Sequence, residues 1–168
     1  MTTILTISSF LMTILALGVA IGRKGELPES ISAMVYDIPK RYQWTWSAWL
    51  VAVSALLFVP LTGACGGLGW LTEVCLLGTA LMPLVKPDTR KWHYVLAYAA
   101  GILSQVCVAV TCIDCLSVWM AFVFVMLSVY VQPDGKLAKA VEHKGAFVAE
   151  VIATVGVDLS LIIRAAMT

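Results

Sequence analysis

Charge is scarce in this chain. Only 12% of its 168 residues are Asp, Glu, Lys or Arg, while 61% are hydrophobic. A soluble domain carries about 25% charged residues, so water is not the main solvent here. Catalytic signatures of soluble enzymes are missing as well. There is no Walker loop, dinucleotide fingerprint, zincin motif or Ser-nucleophile elbow, which disfavours the chemistries they serve. Only two histidines occur, His93 and His143, and the formal net charge is +1. That balance offers no basic surface for a nucleic-acid partner. No cofactor is expected from any motif.

What is present is a series of long uncharged runs. A helix needs about 20 apolar residues to cross a bilayer. Residues 1–22 carry no charge and are closed by Arg23 and Lys24, opposite to the order of a cleavable secretory signal. The uncharged run from Tyr42 to Thr72 is too long for one helix and is punctuated by Pro60, Gly63, Gly66, Gly67 and Gly69, so it reads as a helical hairpin. The expected fold is all-α, a single integral membrane domain over residues 1–168. Its six transmembrane helices fall near 2–22, 43–63, 69–85, 92–113, 116–132 and 145–163, with a short interfacial helix near 28–38.

Positive residues set the expected orientation. Arg23, Lys24, Lys40, Arg41, Lys86, Arg90, Lys91, Lys136, Lys139 and Lys144 fall in alternate loops, and only Arg164 lies elsewhere. The positive-inside rule makes those loops cytoplasmic in a bacterial inner membrane and puts both termini outside. Tyr42, Trp44, Trp46, Trp92, Tyr94 and Tyr130 then lie near the inner interface and Trp70 near the outer one. The lipid bilayer is the expected partner, with a homo-oligomer or a larger membrane complex as a further option.

Three groups of residues carry chemistry. On the cytoplasmic side, Glu29, Ser32, Tyr36 and Asp37 of the interfacial segment meet Asp88, His93 and Tyr94 from the turn between the third and fourth spans. Carboxylates, an imidazole and hydroxyls there suit a metal or a polar headgroup, with His93 the candidate metal ligand. The alternative is helix capping in contact with water. The Pro28-Glu29-Ser30-Ile31-Ser32-Ala33 stretch with Tyr36, followed by His93-Tyr94, resembles a group of uncharacterised small bacterial and phage multi-span proteins, a likeness that implies no activity. It is also faintly similar to the intramembrane metal hydrolase superfamily that includes alkaline ceramidases. That resemblance implies a zinc-dependent hydrolase. Its members have seven spans and three metal-binding histidines, so here carboxylates such as Asp37 or Asp88 would stand in as ligands.

The second group lies at membrane depth. Glu150, Thr154 and Asp158 recur every four residues, beside a small-residue stripe of Ala149, Ala153, Gly156 and Ser160. A carboxylate near the bilayer centre costs about 2.5–3.5 kcal/mol on insertion scales, so such acids are seldom left facing lipid. Glu73, Gln105, Glu150 and Asp158 therefore read either as a path for protons or a cation, in a small transporter-like or channel-like protein, or as interhelical hydrogen bonds. An accessory subunit docked through the small-residue stripe is a third option. The last group is Cys65, Cys112 and Cys115, all on the expected outer side. Cys112 and Cys115 form a C-x-x-C pair, as in quinone-linked membrane thiol oxidoreductases, although packing of small apolar side chains also accounts for them.

Overall fold

A computed structural model describes residues 1–24, 30–85, 90–112 and 136–167. Every regular element among them is a helix. In chain order these are α1 (Thr2–Lys24), α2 (Met34–Asp37), a 3-10 turn (Lys40–Tyr42), α3 (Gln43–Cys65), α4 (Gly67–Val85), α5 (Arg90–Thr111) and α6 (Lys136–Met167). Four helical stretches, Thr2–Gly22, Lys40–Cys65, Gly67–Val85 and Arg90–Thr111, are long and apolar enough to cross a membrane. That is the mark of a multi-pass membrane protein. The span expected at 116–132 lies outside the described residues. The span expected at 145–163 falls within α6, which carries Glu150, Asp158 and Arg164 and is not one of the four.

The α3–α4 hairpin turns on one residue. Gly66 has φ +56, a backbone conformation that glycine reaches without a Cβ clash. Its N–H donates to the Thr62 carbonyl, 2.9 Å away. Gly69 allows the two helices to touch: a Cβ there would meet the Leu61 carbonyl oxygen at 2.5 Å and the Thr62 Cα at 2.9 Å. Pro60 and Pro83 sit inside helices, which neighbouring helices in a membrane bundle tolerate.

Antiparallel packing separates two ends of the bundle. At one end the Arg90 guanidinium lies 4.9 Å from the Tyr36 ring centroid, placing α2 beside the start of α5. At the other, Arg164 near the end of α6 donates to the Ala64 carbonyl at 3.3 Å, beside the Gly66 turn. The apolar interior follows this division. Val53, Leu57 and Leu61 of α3 pack with Cys107 and Val108 of α5 and Val157 and Leu161 of α6. Toward the Arg90 end, Val35 packs with Trp46, Leu50 and Ala80, and Leu17 packs with Ile31 and Phe147. Large apolar side chains such as Leu15, Val74 and Ile102 face outward, as a lipid-facing surface requires.

The segment expected as an interfacial helix near 28–38 is different. Among its described residues only Met34–Asp37 are α-helical, and Ser30, Ile31, Ser32, Ala33 and Val35 are buried. Ser hydroxyls compete with helical hydrogen bonding, and here the Ser30 Oγ accepts the Ala33 N–H at 2.8 Å. The segment tucks into the bundle instead of lying along it. Trp46, expected at the interface, is likewise buried against His93, at 5.7 Å between ring centroids.

Candidate functional site

At the Arg90 end, the Ser30–Ala33 turn brings α5 and α6 together. Glu150 of α6 holds Ser32 twice: the Ser32 N–H donates to Oε2 at 2.8 Å and its hydroxyl donates to Oε1 at 2.6 Å. The Ser30 and Ser32 hydroxyls are 3.1 Å apart. Two hydrogen bonds from one residue to one carboxyl group give the turn a fixed shape without helical bonding.

His93 completes the arrangement from α5. It is fully buried, with Nδ1 2.9 Å from the Thr79 carbonyl and Nε2 2.9 Å from the Ser32 carbonyl. Both partners are acceptors only. A neutral imidazole carries one N–H and can satisfy one of them, whereas the imidazolium donates to both. Tyr36, Tyr94 and Trp46 surround the ring, Tyr36 and Tyr94 edge-on at 5.4 and 5.6 Å. The Arg90 Nε donates to the Tyr94 hydroxyl at 3.1 Å. Burial and the neighbouring Tyr94 push the Tyr36 phenol above its usual range, against a smaller pull from Arg90.

A cavity of about 100 Å³ extends from this turn between α3, α4, α5 and α6. Ser32, Trp46, Trp49 and Glu150 line it at the Arg90 end, and Leu61 and Thr72 toward the Gly66 end. Glu150 is the one charged side chain on its wall among the described residues.

The expected cytoplasmic cluster is therefore assembled in part. Ser32 and His93 meet, joined by Glu150, which the spacing had grouped with the membrane path. Asp37 is exposed on α2, and Glu29 and Asp88 lie outside the described residues. Both His93 nitrogens face carbonyls, and no group of three His, Cys, Asp or Glu among the described residues is placed to hold a metal. The zinc that the hydrolase resemblance implies finds no ready ligand set in the described part of the chain.

The expected acidic path divides into separate contacts. Glu73 is buried and accepts from the Ser54 hydroxyl across the α3–α4 pair. Gln105 donates to its neighbour Ser104 at 3.4 Å. Asp158 is fully buried, next to Ser9 of α1. At 3.6 residues per turn, eight residues leave Asp158 rotated by about 80° from Glu150. That rotation carries it off the cavity wall and toward α1. Of the small-residue stripe, Ala153 lines the cavity and Gly156 and Ser160 are buried, so these three face inward.

One feature was missed. Thr6, Ser9 and Thr13 form a buried polar stripe on α1, and their i, i+3, i+7 spacing in an otherwise apolar run is the signal that finds them. Cys112 is disulfide-bonded, while Cys65, Cys75 and Cys107 are free thiols. Cys112 is thus both buried and oxidised; Cys115 lies outside the described residues. No family model matches the sequence, and neither a curated protein nor a solved structure is similar to it.

Proposed function

We propose that the chain is a small transporter-like membrane protein of six spans, with its charged loops cytoplasmic, whose cavity takes a small organic cation. One observation carries the reading: Glu150 is the only charged group on the described wall of an otherwise largely apolar cavity, with Trp46 and Trp49 on the same wall. A carboxylate with indole faces is the chemistry that recognises an organic cation, through charge and cation–π attraction, while the apolar wall accepts its body. In the resting state Ser32 occupies the carboxylate, so a ligand must exchange with those two hydrogen bonds.

Binding of radiolabelled tetramethylammonium to purified protein in nanodiscs tests this. Saturable binding is expected, lost at least tenfold in Glu150→Gln and weakened in Trp49→Ala. Equal binding by wild type and Glu150→Gln sinks the reading.

One contact favours a second reading, a membrane-embedded hydrolase. The Ser32 hydroxyl donates to Glu150 at 2.6 Å, a distance at which a carboxylate can accept a nucleophile's proton. A fluorophosphonate probe would then label Ser32 and fail to label Ser32→Ala. An unlabelled wild type removes this reading.

A further inference from the structure

The second acid of α6 has a different environment. Asp158 is 0% exposed, and neither carboxyl oxygen has a hydrogen-bond partner. Ser9 and Thr13 of α1 are also 0% exposed, and their hydroxyls are likewise unpartnered. Ser9 is the hydroxyl beside the Asp158 carboxyl, although the two make no full hydrogen bond. Thr13 follows one turn along the same face of α1.

Buried polar atoms are nearly always paired, and a cluster of orphans calls for a missing partner. A carboxylate at membrane depth is costly unless its charge is compensated. The donor set fixes the class of the partner. Carboxylate and hydroxyl oxygens are hard ligands that suit hard cations over thiophilic metals. Among the described residues Asp158 belongs to no group of three or more His, Cys, Asp or Glu, and one carboxylate balances one positive charge and not two.

A cavity comes within one helical turn of the acid. A cavity of about 250 Å³ opens at the Gly66 end, lined by Thr2, Thr6, Pro60 and Arg164 among others. Thr6 lies one turn from Ser9 on α1, and Leu161, on the same cavity, one turn from Asp158 on α6. Arg164 is the cation in this vestibule, and its Nη1 donates to the Ala64 carbonyl.

We infer that Asp158 and Ser9, with Thr13 one turn further, form a buried sodium site between α1 and α6, entered from the cavity at the Gly66 end. The site is separate from the Glu150 cavity and does not rest on the organic-cation reading. Sodium would supply the positive charge that the Asp158 carboxylate lacks and accept the lone pairs of the orphaned hydroxyls.

The test is thermal unfolding and radioactive sodium binding of the purified chain in nanodiscs, at constant ionic strength in sodium, potassium or choline chloride. Sodium is expected to raise the wild-type midpoint above the values in potassium and choline, with saturable binding of one ion per chain. Asp158→Asn should abolish the difference, and Ser9→Ala should weaken binding by about tenfold, near the loss of one good ligand interaction. Equal midpoints in all three salts for the wild type would overturn the inference without recourse to any variant. So would sodium-specific stabilisation that survives in Asp158→Asn.

Discussion

The two acids of α6 lie eight residues apart and are treated in opposite ways. Glu150 has each carboxyl oxygen engaged by Ser32, and the carbonyl of that same serine is engaged by His93. Asp158 is more deeply buried and has no partner for either oxygen. In one region both carboxyl oxygens are held and the contacts run on through Ser32 to His93, although the Tyr36 hydroxyl and the Trp46 and Trp49 indole nitrogens beside them are unpartnered; in the other the acid itself has no partner. Satisfied buried networks specify a unique structure, and unsatisfied ones are tolerated where something else completes them. The Glu150 end thus acts as the structural keystone even while facing a cavity, and the Asp158 region as a place for an exchangeable ion.

Breaking the network should have the largest effect. His93→Ala removes a fully buried ring and strands the Thr79 and Ser32 carbonyls, with an expected loss on the order of 4 kcal/mol in detergent-mixture unfolding. A loss under 1 kcal/mol would show that the carbonyls find other partners. Gly69→Ala comes next. Its Cβ would push into the Leu61–Thr62 backbone, and since backbone gives way poorly, about 2–3 kcal/mol is expected from the same measurement.

Glu150→Gln keeps one acceptor oxygen for Ser32 and should cost about 1–2 kcal/mol, less than His93→Ala. Asp158→Asn should change stability by less than about 1 kcal/mol in sodium-free buffer, because no hydrogen bond of the carboxyl is lost. A loss as large as that of His93→Ala would erase the contrast between the two regions. The smallest effect is expected at Tyr36. Its phenol is held above the usual range, so the folded state keeps the proton that the unfolded chain gives up. Its contribution to stability is present in full below the ordinary tyrosine pKa and fades as pH rises through the raised value. Phenolate absorbance of wild type minus Tyr36→Phe should show this tyrosine ionising above the ordinary tyrosine pKa.

The elements most legible in the sequence were those decided by local composition. Residues 1–22, the hairpin around Gly66 and the run closing at Thr111 follow from apolar length and punctuation, which need no knowledge of neighbours. The segment 28–38 was not legible in this way. Its apolar spacing matches a helix, but the carboxylate of Glu150, 118 residues away from Ser32, claims the Ser32 N–H. Nothing near Ser32 in the chain announces that partner.

The acids of α6 show the same limit from the other side. Composition alone marked Glu150 and Asp158 as unusual, because a carboxylate in an apolar run is costly wherever the helix packs. Their common four-residue spacing suggested a common role. Helical drift and the packing of α1 against one flank and the Ser30–Ala33 turn against the other assigned them different ones. For Thr2–Gly22, Lys40–Cys65, Gly67–Val85 and Arg90–Thr111 the sequence by itself determined a helix apolar enough for a membrane, since both properties depend on side-chain transfer and backbone satisfaction within one segment. Only the tertiary structure decided which polar groups are paired. Pairing depends on atoms brought within about 3 Å by helices distant in the chain.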